Sequence, residues 1–411
     1  MSGIILSVNA GSSSLKVSLF GPTADGPRHL ATCTVESIGA DGTASFNSTV
    51  KDISDQEKDV KDVKDHDGAL QHILKHLFRT TTSEEDVTRV CHRVVHGGNF
   101  KKRVLIDDQS LHHLEALIEL APLHNAPSTA LIRSTLKQLP KAKSIAYFDT
   151  TFHNSIPPHI YTFPIDQELA QKYGLRKHGF HGISYSFILR NVTQFLKKPA
   201  FTTNLIVLHL GSGASVCCIK NGQSLDTSMS LTPLAGLPGG TRSGDIDPTA
   251  ILHLIKAWST TVEDAETMLN KKSGWKALTT TSSFGDVVSN QAKDANAKLA
   301  FDLFVDRILN FVGAYYLKLE GNVDALVFAG GIGEKSVELR TAIGERCRIL
   351  GFLYSEELNR EKPSQDVVRS ISPDSPGGGI GKRILVCQTD EQFEMAYQCT
   401  EDSELYDRGE L

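Results

Sequence analysis

Long apolar runs are missing from this chain of 411 residues. The stretch Ile4–Val8 is too short for a signal-peptide core, lacks a basic flank and passes directly into a polar turn. Nothing else approaches the roughly 20 apolar residues that a membrane-spanning helix needs. Paired cysteines are missing as well. Seven are scattered without a C-x-x-C pair, which argues against a disulfide framework or a thiolate zinc site and fits a reducing compartment. Nor is there an excess of positive charge: 43 Lys and Arg face 48 Asp and Glu, a net charge of -5. Neither nucleic acid nor an anionic membrane is therefore an expected partner, although a phosphate site needs only a few cations. A soluble, cytoplasmic protein is expected.

What is present is an ordinary globular composition, 40% hydrophobic and 22% charged, on a chain longer than one core usually supports. Two domains with an active-site cleft between them are expected. Two segments share one design: Ile4–Phe20 and Leu205–Ile219 each read as an apolar run, a Gly/Ser turn and a second apolar run. The chain reads as a duplication in which each half offers backbone N–H groups to a polyphosphate. A third apolar run, Ala325–Gly333, ends in a glycine turn. Helical patterns at 68–78, 109–120, 250–258 and 291–319 alternate with these runs, which points to an α/β fold. Segment 51–67 is charged and poor in apolar residues, so a solvated flap is expected. Residues 373–382 imitate a phosphate loop, but Pro376 and Arg383 stand where that pattern needs Gly and Ser or Thr. A plain surface loop is the expectation there.

Several residues carry candidate chemistry. Asn9, Ser12, Ser14 and Lys16 occupy the first hairpin, where hydroxyls, N–H groups and one cation suit phosphate oxygens; a plain polar turn is the alternative. Arg93 lies among apolar residues, where a guanidinium usually has an anion to bind. His92 and His96 are four apart, but the valines and Gly97-Gly98 beside them favour a strand over a metal-binding helix. Arg242 follows a glycine-rich stretch, flexible or closely packed on a ligand, and is either a second anion receptor or an exposed arginine paired with Asp245 or Asp247. Asp149 ends one apolar stretch and the acidic segment 389–392, with Asp390 and Glu391, follows another; paired carboxylates near phosphates usually hold Mg²⁺. His178 and His181 sit beside glycines, where a structural role is the simpler reading.

Together, the motifs at 9–16, 93–98, 148–150, 178–182, 241–245 and 329–334 resemble those of the acetate kinase family, in the right order over about residues 4–396. That family belongs to the actin, Hsp70 and sugar kinase superfamily. The resemblance implies two duplicated actin-like (ribonuclease H-like) domains: 1–150, completed by a C-terminal helix in 388–411, and 151–387, carrying the nucleoside segment. It implies transfer of the ATP γ-phosphoryl to acetate with Mg²⁺ (or Mn²⁺), ATP/ADP as co-substrate and a homodimer. Catalytic roles then fall to Arg93, Asp149, His181 and Arg242. Acetate would meet Arg93, Val95, Leu123, His124, Phe180 and Pro233. The nucleotide would meet Asn9, Ser12, Ser14, Lys16, His209, Gly211, Ser212, Gly213, Gly330, Gly331, Ile332 and Gly333. The metal would meet Asn9, Asp149 and Glu391.

The chain departs from the family pattern on the nucleoside side. Ser212 replaces an asparagine, Ser283 and Gly285 stand where an acid and an arginine are expected, and Lys335 replaces a frequent asparagine. Alternatives are a pyrophosphate donor, propionate or butyrate as acceptor, and an Hsp70- or actin-like nucleotide clamp. The arginine pair with its apolar neighbours separates a kinase from a clamp, which has no small acid to bind.

Overall fold

The computed structural model describes residues 3–401 apart from 12, 40–43, 51–52, 59, 61–62, 120–121, 363–364 and 375–380; the side chains of 119, 122–124 and 258 also lie outside the described set. The chain divides into two compact units, one of residues 1–151, 182–184 and 390–411, the other of 152–181 and 185–389. Among the described residues no helix is long and apolar enough to cross a membrane.

The first unit is built on eight strands: β1 (Ile4–Ala10), β2 (Ser14–Thr23), β3 (Gly26–Glu36), β4 (Ser45–Val50), β5 (Ile53–Glu57), β6 (Val87–Val94), β7 (Val104–Leu105) and β8 (Lys143–Phe148). Their order is β5-β4-β3-β2-β1-β6-β8-β7. β1 to β3 pair antiparallel, and β1, β6 and β8 run parallel. Helix His66–Thr80 buries Leu70, Ile73, Leu74 and Leu77 with Leu6, Val8, Leu15 and Val17 on one face. Helix Glu391–Glu401 covers the other face, placing Met395, Ala396 and Cys399 against Ile5, Phe20, Cys91, Ile145 and Tyr147. The charged 51–67 segment is not wholly a flap. Its residues 53–57 pair with β4 as an exposed edge strand, whose run of four polar residues after Ile53 suits a strand with no core face.

The second unit holds β9 (Leu205–Leu210), β10 (Ala214–Lys220), β11 (Gln223–Thr227), β12 (Ala325–Ala329), β13 (Val368–Ser370) and β14 (Arg383–Cys387). Their order is β11-β10-β9-β12-β14-β13, with β9, β12 and β14 parallel. Setting β9 to β11 against β1 to β3, and β12 and β14 against β6 and β8, gives the same strand order and the same directions. The repeated hairpins are thus the first two strands of a duplicated sheet.

Three sequence expectations are corrected. Gly182–Ser184 clusters with the first unit, because Gly182 N donates to Asp149 O at 2.9 Å and the Ser184 hydroxyl to Glu391 Oε1 at 2.8 Å. The terminal helix begins at Glu391, and residues 402–411, like 375–380 of the glycine-rich loop, lie outside the described set. The glycines after β12 do not form a turn but open a short helix, Gly330–Lys335.

Gly330 sits at φ 72°, and a Cβ there would lie 2.7 Å from the Leu210 carbonyl oxygen. Gly330→Ala is expected to cost at least about 1–2 kcal/mol from the left-handed backbone alone, lowering the urea midpoint; an unchanged midpoint would contradict this close approach.

Candidate active site

In the first unit the site is assembled by strand alternation. Side chains two apart share a face, so Ile5, Ser7 and Asn9 point one way and Leu6 and Val8 the other. Cys91 and Tyr147 lie on the face of Ile5, which carries Arg93 and Asp149 there too. Helix Glu391–Glu401 is fixed to that face by the Ser7 hydroxyl donating to Gln392 O at 2.9 Å and by Gln392 Nε2 donating to Ser7 O at 3.2 Å. Its first residue, Glu391, therefore arrives beside Asn9. Since β1, β6 and β8 are parallel, the cluster stands at their carboxyl ends.

The cluster is a single network. Arg93 Nε and Nη2 donate to the two oxygens of Asp149 at 3.0 and 2.7 Å, a bidentate pair, and Nη1 donates to Glu391 Oε2 at 2.9 Å and to Asn9 Oδ1 at 3.3 Å. Asn9 Nδ2 also donates to Glu391 Oε2, at 2.9 Å. The Asp149 side chain is 1% exposed, that of Arg93 18% and that of Glu391 14%. Burial works against the Arg93 charge, but Asp149 and Glu391 outweigh it and push its pKa above the ordinary value. Lys16 lies directly across the ladder from Asn9 and is exposed. The Ser14 hydroxyl oxygen is 2.5 Å from where a Cβ on Gly11 would stand, and His66 Nε2 donates to the Gly11 carbonyl at 2.8 Å. Ser12 lies outside the described residues, as do the side chains of Leu123 and His124 in the first turn of helix Pro122–Gln138. Val95, just after β6, is buried.

The second unit gathers His181, His209 and Arg242 around the turn Gly211–Gly213. Val207 and Cys217 face helix Gly182–Leu196, so by the same alternation His209 and Ser215 face it as well. The His181 and His209 ring centroids are 4.3 Å apart. Measured from an ideal Cβ on Gly213, Arg242 Nη1 is 3.1 Å away and His181 Nε2 is 3.9 Å away. The glycine-rich 234–240 stretch reaches this place by close packing: Gly240 N donates to Ser212 O at 3.1 Å, and a Cβ on Gly239 would stand 2.5 Å from that oxygen. Asp245 accepts from Gly236 N, and Asp247 from the N–H and hydroxyl of Thr249, so both acids shape the loop backbone. Burial lowers the Arg242 pKa, a direction that still leaves a guanidinium charged near neutrality. Pro233 and Phe180 are buried. Gly331 has open space where a side chain would be, and Ile332 packs on the core beneath it. Ser283 caps helix Phe284–Asn290 by accepting from Asp286 N at 3.3 Å, which gives its replacement of an acid a structural use.

Sequence reasoning missed the groups that set these side chains. His181 holds φ 59°, a left-handed backbone for a residue with a Cβ, and Phe180 before it has its carbonyl bound by His153 Nε2 at 2.9 Å. Asp226 accepts from Lys177 Nζ at 2.6 Å and from Lys318, which anchors the start of the same segment. Tyr185 follows His181 by four residues, a helical spacing that was available as a signal.

The duplicated sheet of this order, with a glycine- and serine-lined hairpin in each copy, is an actin-like fold of the kind found in phosphotransferases. The chain belongs to the acetokinase family, whose sequence model matches residues 4–396. A probable acetate kinase of Emericella nidulans is 48% identical over 96% of this chain and 97% of its own length. The acetate kinase of Bacillus cytotoxicus is 37% identical over 95% and 97%. Among solved structures, Porphyromonas gingivalis acetate kinase superposes with a TM-score of 0.85 at 30% identity, covering 97% of this chain and 99% of that one. A propionate kinase from Francisella tularensis gives 0.86 at 33% identity, with the same coverage. The enzyme is a kinase acting on acetate.

Three buried histidines give this enzyme an acid limit. Burial pushes His153 from 6.5 down to about 4, His178 to about 4 and His92 to about 3. The unfolded chain takes up these protons near 6.5 and the folded one only near 4, so stability is complete above 6.5 and falls as pH drops toward 4. Urea midpoints measured across that window should fall with pH in the wild type and fall less steeply in His153→Gln; equal slopes would contradict the buried neutral ring.

Proposed function

We propose that the chain catalyses reversible transfer of the γ-phosphoryl group of ATP to acetate by direct in-line displacement, assisted by Mg²⁺, giving acetyl phosphate and ADP. The observation that carries this reading is the convergence of Arg242 and His181 on the small Gly213 position, beside a turn of small residues. Acetate needs no general base, since a carboxylic acid with a pKa of about 4 to 5 is already ionised near neutrality. The barrier lies in bringing an anion up to a polyanion, so positioning and charge neutralisation do the catalytic work.

The residues fit this division. Asp149, Glu391 and the Asn9 amide form a hard oxygen set of the kind that suits Mg²⁺, which is commonly held by one or two carboxylates together with phosphate oxygens. Mg²⁺ bound there would supply charge neutralisation across the phosphate oxygens. Arg93 uses Nε, Nη1 and one N–H of Nη2 on these groups, which leaves one Nη2 hydrogen for a substrate oxygen. Most of the Arg93 donors therefore orient the carboxylates, and the one left over is assigned to the substrate. Arg242 and the His181 ring are assigned to the transferring phosphoryl, and Val95, Phe180 and Pro233, with Leu123, to the acetate methyl. Lys16 and Ser14 are assigned to the nucleotide phosphates, along with the Gly211–Gly213 turn and His209. The open space at Gly331 favours a nucleoside donor over pyrophosphate.

The proposal extends to a cytoplasmic homodimer. Seven free, buried cysteines suit a reducing compartment. Helix Pro248–Trp258 is apolar but leaves Leu252 51% exposed, with Ile246 and Val262 exposed beside it, as a subunit interface would require.

Hydroxamate trapping of acetyl phosphate tests the reading. Acetate-dependent product should form fastest with ATP, and Arg242→Ala should lower kcat by about 10²- to 10³-fold. ATPase activity without acetate-dependent product, a faster rate with pyrophosphate, or a near-normal Arg242→Ala rate would each contradict it.

A further inference from the structure

A buried chain of hydroxyl groups ends on His181. The Tyr185 hydroxyl lies 2.5 Å from Ser215 Oγ, and Ser215 Oγ lies 2.8 Å from His181 Nδ1. Tyr185 and Ser215 are both fully buried. Burial, with Cys217 nearby, pushes the Tyr185 pKa up, so the phenol keeps its proton.

Counting protons sets the direction of the chain. Ser215 Oγ is the partner the structure gives the Tyr185 hydroxyl, so the phenol proton is donated to it. Ser215 then has its own proton for its other partner, and Nδ1 of His181 accepts it. A ring that accepts at Nδ1 carries its hydrogen at Nε2. In the reverse order, Nδ1–H would donate to Ser215 and Ser215 to Tyr185, stranding the phenol proton in a buried site.

The supports are rigid. Ser215 is in β10, directly across the ladder from His209, and Tyr185 packs with Ile188, Val207 and Cys217. The groups set against the His181 ring include His209, Tyr185 through Ser215, and Arg242, which shares the Gly213 position with Nε2. We propose that Tyr185 and Ser215 are positioning residues that hold His181 as the neutral Nε2–H tautomer, making it a hydrogen-bond donor to the phosphoryl group and neither a base nor a cation. The inference rests on the reading of this site as the phosphoryl-transfer site.

The test uses the full chain labelled with ¹⁵N-histidine, with the His181 signals assigned by their loss in His181→Gln. Long-range ¹H–¹⁵N spectra of the wild type near neutral pH should show an unprotonated Nδ1 and a protonated Nε2. Ser215→Ala should turn this into a mixture of tautomers and lower kcat by about fivefold to tenfold, the size of one lost hydrogen bond, with KM for acetate nearly unchanged. Tyr185→Phe should move both readouts in the same direction by less. An Nδ1–H ring or an imidazolium in the wild type would overturn the proposal, as would a tautomer pattern untouched by both variants. A wild-type kcat in His181→Gln, with the expected tautomer present, would overturn the phosphoryl-site reading instead.

Discussion

The guanidinium of Arg93 draws Asp149, Glu391 and Asn9 into one network, and these four residues come from β6, the end of β8, the C-terminal helix and β1. Asn9 and Glu391 are 382 positions apart in sequence and meet at 2.9 Å. Two carboxylates this close repel one another, and a single cation bound to both relieves that repulsion while fixing their orientation. All of Asp149 and most of Glu391 are withdrawn from water, so the arginine supplies the charge pairing that solvent does not. The remaining features of the first unit serve this arrangement: the sheet alternation that aims the side chains, and the Ser7–Gln392 exchange that seats the helix.

The second unit solves a different problem with the same strand order. It brings together His181 beside His209, and Arg242 carried in by a loop whose glycines let it lie directly on the Ser212 turn. The proposed reaction joins two anions, which calls for the charged and polar side chains that each unit collects. In the first unit Asn9, Arg93 and Asp149 stand at the carboxyl ends of β1, β6 and β8, and in the second His209 stands at that of β9. That shared position gives the duplication its chemical sense.

Much of this was legible in the residues. The hairpin at 4–20 and its repeat at 205–219 could be read because apolar runs and small-residue turns are local signals. The helix boundaries at 66–80 and 295–318 differ from the patterned segments by a few residues because the caps Asp65 and Asp294 fix where each helix starts, two residues before the apolar stripe in the first case and four residues into it in the second. The helix at Gly330 was not legible: three glycines in four residues spell a turn, and only the preceding strand and the Leu210 backbone below impose helical geometry. Nor could the residues show that Arg93 binds Asp149 and Glu391, since that contact depends on strand order across the whole unit. Ser215 and His153 were illegible for the same reason, being ordinary core residues until the fold places them behind His181, whereas Tyr185 stands at a helical spacing from it.

The central claim is that the Arg93 network is a poised oxygen site and not merely a brace. The most direct test is the Mg²⁺ concentration giving half-maximal acetyl phosphate formation in Glu391→Gln, measured alongside the urea midpoint. A rise of about tenfold or more in that concentration is expected, with a folded protein that still melts cooperatively. An unchanged Mg²⁺ requirement with a lowered midpoint would contradict it and leave the network a purely structural one.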